Sequence, residues 1–597
     1  MRHAILRIAV YAACACSAAA QPAAYEYRYH NYTESTAILQ DLAKRHPQLA
    51  RLYSLGKSAA GGRELWCIEI SNLQTGSAQH KPAVYFDGNQ HASEVAGGEV
   101  TLFLAHYLLG NYGKDPLITR LVDSRVIYIV QRADPDGAEA YMTGKIDWDP
   151  ERIAVGRDAD GDGRKGEDGP EDIDGDGEIL RMRVPDAKGE WKPSDLDARL
   201  LVRREKNDTS GTFYRVLDEG IDNDGDGKIN EDPPFSGFIS NRNYPAFWAS
   251  GDGRFRGSGD YPMQEHNARL LVNFILSKPH ISQVESFHTT SGIHLRPYAA
   301  RPDTDFPPQD LQDFAAVLAM GTGITSYPVA SIYNDFTSIV PGIPPDEQPD
   351  VRHGVFVDWA YVHQGLFAAT TELWTMEPFL NEVGWGDIPR DKFLFAIPGR
   401  YNRPDVQAAV LKWLDRRKND RALAGQGFRP WTTYRHPTLG EVEIGGFTRY
   451  WLRNPPPGPY FEKLVKDQAR FAVVRSLTTP LLKITDIRVE SADPAQDAWV
   501  LTATAANLGF LDTSLEQARR AGLSVADRLT LELPPGSLTD SSRSVSFPFM
   551  RGTRGSESQS LYQASWRIRA PAGTTVAVTL LSQKGGRDRR EVKLESR

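Results

Sequence analysis

Cysteine is nearly absent from this chain, with 3 in 597 residues, and two of them, Cys14 and Cys16, fall in the first apolar stretch. If that stretch is removed, Cys67 stands alone, so no intrachain disulfide framework can hold the fold. Core burial and bound metal must do so instead. An excess of positive charge is also missing. Lys and Arg number 69 against 77 Asp and Glu, a net charge of -8, which excludes the basic footprint of a nucleic-acid binder. Beyond the N-terminus no apolar run reaches the ~20 residues that a membrane span requires.

What is present at the N-terminus is an export signal: Arg2 and Arg7 supply positive charge, Ile8 to Ala19 an apolar region, and Ala18-Ala19-Ala20 a small-residue cleavage site. The reading is a signal peptide over residues 1–20 and a secreted or periplasmic protein. Acylation at Cys14 or Cys16 is the rival reading. The length implies about two to four units at ~100–200 residues each. A catalytic domain is expected over 21–430, a Pro-rich connector over 431–480 and a C-terminal domain over 481–597. In that last part the chain alternates with a period of two, as in Trp499 to Ala505 and Thr575 to Leu581, which predicts a small all-β sandwich.

The chemistry concentrates where apolar runs end. Ala83-Val84-Tyr85-Phe86 reads as a strand and runs out into His91-x-x-Glu94; Ile281 to Phe287 reads as a strand ending in His288. Two imidazoles and a carboxylate brought together by two strand ends suit a catalytic zinc, which takes three protein ligands and keeps a position for water. Val126 to Val130 is nearly all apolar, as in a strand covered on both faces. The fold class is therefore α/β, a mixed sheet flanked by helices.

Between Trp148 and Pro234 the composition turns to Asp and Gly. Asp158, Asp160 and Asp162, then Asp172, Asp174 and Asp176, then Asp222, Asp224 and Asp226 repeat one pattern, D-x-D-x-D-G. Alternate carboxylates with a turn glycine wrap oxygens around a hard cation, so the expectation is structural calcium. None of the three has an acidic residue at the twelfth position; Glu167, Asp168, Glu231 and Asp232 stand nearby to substitute.

With these motifs in order, the chain from about Tyr29 to Arg421 resembles the zinc carboxypeptidase A/B family. The resemblance implies zinc ligands at His91, Glu94 and His288, and the general base at Glu372, reached from Asp358-Trp359 at the family's spacing. It implies that Asn241 and Arg242 hold the substrate's terminal carboxylate, that Tyr333 is the mobile tyrosine and that Val357 lies at the base of the terminal-residue pocket. It places the carbonyl-polarising arginine in Leu180-Arg181-Met182-Arg183, with Arg183 favoured over Arg181. One family feature is missing: an aspartate that orients a zinc-bound imidazole is replaced by Ile239, so that support must come from elsewhere or be weaker.

The reading is an exported zinc carboxypeptidase acting on peptides with a free C-terminal carboxylate and preferring neutral apolar end residues. A zinc amidase on cell-wall peptides would use the same residues. A wall- or glycan-binding module with a decayed site is the rival of another class, disfavoured because a binding protein needs no general base beside a metal.

Overall fold

The computed structural model describes residues 25–143, 158, 160–233, 239–250, 257–336, 351–375, 382–384, 403–419, 427–448, 453–556 and 560–595. The expected signal peptide lies outside them.

At the centre is an eight-stranded mixed sheet. Its spatial order is Ala50–Lys57, Glu64–Ile70, Val126–Val130, Ala83–Gly88, Ile281–Thr289, Phe367–Leu373, Ile293–Arg296, Val329–Ser331. The four strands from Val126–Val130 to Phe367–Leu373 are mutually parallel, and antiparallel pairings flank them. Side chains alternate across a strand, and here both faces are covered. Val84 and Phe86 point into one apolar cluster with the helices Tyr32–Arg45, Val95–Asn111, Pro116–Ser124 and Pro459–Leu477, whereas Ala83 and Tyr85 join the opposite cluster with His266–Leu276 and Pro308–Thr325. That double cover is why these strands read as unbroken apolar runs.

Strand order places the site. From Ala83–Gly88 the chain passes to Val126–Val130 on one side and returns with Ile281–Thr289 on the other, so the strand order reverses between the two. Ligands in open α/β sheets sit beyond the carboxyl ends of the strands at such a reversal. His91 follows one of these strands and His288 ends the other. The helix Val95–Asn111 starts at once and packs hard against the strand ends. A Cβ on Gly88 would lie 2.3 Å from the Gly97 carbonyl carbon, and one on Gly97 would lie 2.4 Å from the Phe287 carbonyl oxygen. Glycine at both positions lets the helix come close enough to hold the intervening loop.

The acidic insertion carries strands of its own, and the described parts of residues 431–480, expected as a connector, are packed into the six-stranded sheet and the main core. The hairpin Phe428–His436 and Gly440–Phe447 heads an antiparallel six-stranded sheet completed by Arg181–Pro185, Tyr214–Asp218, Trp191–Pro193 and Leu201–Arg203. The helix Pro459–Leu477 buries Phe461, Leu464, Val465, Ala469 and Val473 in the main core. Two four-stranded antiparallel sheets spanning 482–593 come next and enclose Trp499, Leu501, Leu529, Trp566 and Val578. This is the expected β-sandwich.

Candidate active site

His91, Glu94 and His288 converge. Their relative exposures are 6%, 3% and 1%, and their ligand atoms lie within 4.8 Å of one another. Both imidazoles turn Nδ1 to the one carboxylate: His91 Nδ1 is 3.0 Å from Glu94 Oε1 and His288 Nδ1 is 2.9 Å from Glu94 Oε2. Four-coordinate zinc with bonds of about 2.0–2.2 Å sets its donors roughly 3.3–3.5 Å apart, so the trio is near the size of a zinc site. Burial alone would raise the Glu94 carboxyl, but the two imidazoles outweigh it and hold the group well below the usual carboxylate range. A buried anion facing two imidazole nitrogens suits a divalent cation.

Glu372 lies in register with His288 on the adjacent parallel strand. Paired residues of a ladder project to the same face at a strand spacing of about 4.8 Å. Glu372 therefore projects beside His288 on the same face of the sheet, and it is half-buried.

The support expected from the position of Ile239 comes instead from two residues that sequence reasoning passed over. Ser286 Oγ lies 3.1 Å from His288 Nε2 and donates to Asp87 Oδ1 at 2.5 Å. Because the hydroxyl proton goes to Asp87, the serine oxygen accepts from Nε2–H, which leaves Nδ1 with the lone pair a metal needs. Asp87 is wholly buried and also accepts from Tyr85 Oη at 2.9 Å and from Gln90 Nε2 at 3.2 Å. Burial raises its carboxyl, against the pull of these donors. The signal was present but needed the register: Ser286 and His288 share a face by strand alternation, and Asp87 pairs with Ser286 across the ladder. Ser286→Ala should weaken zinc binding about 10–100-fold with little change in fold. Competition against a chromophoric chelator measures it, and unchanged affinity would remove Ser286 from this role.

Of the residues expected on the substrate side, Asn241 and Arg242 share one turn. Asn241 and Arg242 lie in the short helix Ser240–Arg242; Asn241 Oδ1 accepts from Phe356 N at 2.8 Å, and its Nδ2 is 3.5 Å from His288 Nε2. One asparagine thus lies beside His288 and ties the Arg242 turn to the segment carrying Val357. Arg242 donates to its neighbour's carbonyl, Asn241 O, at 2.6 Å, and no carboxylate among the described residues pairs with it. Val357 is buried, and beside it Asp358 accepts from the amides of Ala299 and Ala300; burial pushes that carboxyl up to about 7. Tyr333 is buried against Ala300 and Val351.

The arginine pair requires correction. Arg183 forms a two-pronged ion pair with Glu443 at 2.8 and 3.1 Å and stacks between Tyr214 and Trp431, with ring centroids 4.7 and 4.5 Å away. Arg181 pairs with Asp218 at 2.5 Å. Each acid lies directly across the six-stranded ladder from its arginine, so both guanidiniums are engaged within that sheet. A guanidinium that does reach the trio is that of Arg453, with Nη1 3.7 Å from Glu94 Oε1. Its neighbour Asn454, wholly buried, donates to Ser93 O at 2.8 Å and accepts from Ala96 N at 3.0 Å, clamping the loop that bears Glu94. Both sit in the Pro-rich stretch that reads as a connector, where nothing in the sequence signals a contact with residue 94.

Of the acidic loops, Asp158, Asp160 and Asp162 form a metal-sized group, while Asp172 and Asp174 group with Glu219 and Asp224 groups with Asp168 and Glu231.

The zinc carboxypeptidase family matches residues 35–169 and 202–393, and a domain of unknown function matches 481–593. Carboxypeptidase D of Drosophila melanogaster is 36% identical over 119 residues, 20% of this chain and 8% of that protein. A zinc carboxypeptidase of Saccharothrix mutabilis subsp. capreolus is 35% identical over 136 residues, 22% of this chain and 31% of that protein. The chain thus spans less than a third of either relative. Among solved structures, carboxypeptidase A from Helicoverpa armigera covers 68% of this chain and 77% of its own at 16% identity and a TM-score of 0.39. With its family match extending over more than half of its residues and through His91, Glu94, His288 and Glu372, the chain belongs to the zinc carboxypeptidase family.

Proposed function

We propose that the protein is an exported zinc-dependent carboxypeptidase that removes neutral apolar residues from peptide C-termini. The observation that carries this reading is the buried His91, Glu94 and His288 trio with Glu372 in register beside it and the half-buried Arg242 on the adjoining turn. Zinc, when bound there, supplies a Lewis acid that acidifies water toward pKa ~7 and polarises a carbonyl. Glu372 takes the proton of the attacking water and delivers it to the leaving amine. Arg242 and Asn241 bind the terminal carboxylate through charge-assisted hydrogen bonds, and a guanidinium without a counter-ion favours chain ends over internal segments. Arg453, 3.7 Å from Glu94, steadies charge at that carboxylate.

Export rests on the N-terminal segment; among the described residues no helix is long and apolar enough to cross a membrane. The acidic insertion is read as binding calcium for structure, and residues 481–597 as a separate sandwich domain.

Zinc content together with products from a mixed peptide library tests the reading. One zinc per chain and stepwise loss of end residues are expected. A metal-free folded protein, or cleavage at internal bonds, would overturn it.

Val357 sets the side-chain preference in this reading. An apolar floor offers a buried cation no partner, which costs several kcal/mol, whereas burying Leu or Phe gains about 1.5–3 kcal/mol. A peptide ending in Phe should have a kcat/KM about 100-fold above its Arg counterpart. Val357→Asp should shift the ratio toward Arg; a wild-type preference for Arg would remove Val357 as the determinant.

A further inference from the structure

The three acidic loops share one backbone. In each, the first aspartate accepts from the amides of both loop glycines: Asp158 from Gly161 and Gly163 at 2.7 and 3.1 Å, Asp172 from Gly175 and Gly177 at 2.7 and 2.8 Å, and Asp222 from Gly225 and Gly227 at 2.6 and 3.0 Å. Such turns by themselves indicate no ligand. The loops differ in their tails. At one and the same offset from the first aspartate, the first loop carries Glu167-Asp168 and the third Glu231-Asp232, whereas the second carries Arg181-Met182.

Asp168 and Asp232 meet across an isolated antiparallel bridge, with Asp168 N donating to Asp232 O at 3.2 Å, and neither side chain is exposed. Their carboxylates then cross over. Asp168, from the tail of the first loop, joins Asp224 and Glu231 of the third; Asp232, from the tail of the third, joins Asp160 and Glu167 of the first. Within each trio the oxygens lie within 4.8 Å of one another, the spread of oxygens around a cation with bonds of about 2.3–2.6 Å.

A second observation is independent of loop shape. Asp168 is wholly buried, yet its Oδ2 has no hydrogen-bond partner, and the same holds for Asp224 Oδ2 and for both side-chain oxygens of Glu231 and Glu167. Asn223 Nδ2 reaches the other oxygen of Asp168, Oδ1, only at 3.3 Å. A buried carboxylate with an unmatched oxygen is costly unless a cation replaces its water.

We propose that the first and third loops form a reciprocal pair of hard-cation sites, calcium in class, in which each loop lends the other an aspartate through the Asp168–Asp232 bridge. The donor set is oxygen alone, which suits calcium and not zinc. The second loop stands apart, because Glu219, its acidic neighbour, already accepts from Ile173 N, Asp174 N and Leu180 N. Filling one site fixes the bridge that orients the other site's aspartate, so the two ions bind cooperatively. Together they clasp residues 158–168 to 222–232, the two ends of the insertion.

The inference rests on the calcium reading of the insertion and is independent of the zinc chemistry. Its test is calcium titration by calorimetry of the full-length, zinc-loaded protein in calcium-depleted buffer, comparing wild type with Asp168→Asn, Asp232→Asn and Asp172→Asn. Wild type should take up a cooperative pair of ions with a Hill coefficient well above 1. Asp168→Asn and Asp232→Asn should each weaken both steps more than 10-fold, while Asp172→Asn leaves the pair intact. Removing a buried charge should also leave Asp168→Asn at least as heat-stable as wild type without calcium, while abolishing the melting shift that calcium gives wild type. Loss of one step only in Asp168→Asn, or non-cooperative binding by wild type, would overturn the reciprocal pair and spare the calcium reading. No calcium uptake by wild type would overturn both.

Discussion

Glu372→Gln should retain one zinc per chain and lose about 10³–10⁴-fold in kcat, with KM little changed. The amide is close to the carboxylate in shape but cannot accept the water's proton. Because Glu372 lies outside the metal trio while sharing a ladder position with His288, its removal should leave the metal ligands where they are. Metal analysis alongside steady-state kinetics separates the roles. A variant that folds without zinc would make Glu372 a ligand, and a fully active one would end its assignment as the base. His91→Ala serves as the contrast, since it should lose metal and activity together.

How much of the site is legible in the sequence depends on the range of each interaction. The metal trio is legible because parallel strands end where apolar runs end, and a His-x-x-Glu after one strand faces a His at the end of another. Glu372 is legible through family spacing, and the register with His288 gives that spacing a physical meaning. The support of His288 is not, because Asp87 and Ser286 belong to different strands and their juxtaposition is a fact of register. Arg181 and Arg183 mislead for the complementary reason: an R-x-R pair in a strand places both charges on one face, where cross-strand acids, here Asp218 and Glu443, claim them. Arg453 and Asn454 are invisible because a stiff, Pro-rich stretch gives no periodicity to read. Its value to the site lies in that stiffness, which holds Asn454 on the Ser93 and Ala96 backbone.

Arg242 carries the other large expectation. It is half-buried, its guanidinium donates to Asn241 O, and among the described residues no acid neutralises it. A surface salt bridge, the bland explanation for an exposed arginine, is therefore not what holds it. Its neighbour Asn241 accepts from Phe356 N, which ties the turn to the segment carrying Val357. Arg242→Ala should lower kcat/KM for a free-acid peptide about 10²–10³-fold, chiefly through KM, because the terminal carboxylate is left without its partner in a partly desolvated site. Arg242→Lys should recover part of that loss, since the charge returns but the fork does not. The deciding measurement pairs a free-acid peptide with its C-terminal amide. Wild type should reject the amide strongly, whereas Arg242→Ala should turn over both poorly and at similar rates. If the alanine variant still discriminates between them, the terminal carboxylate is bound by another cation, and Arg453, 3.7 Å from Glu94, becomes the first residue to replace.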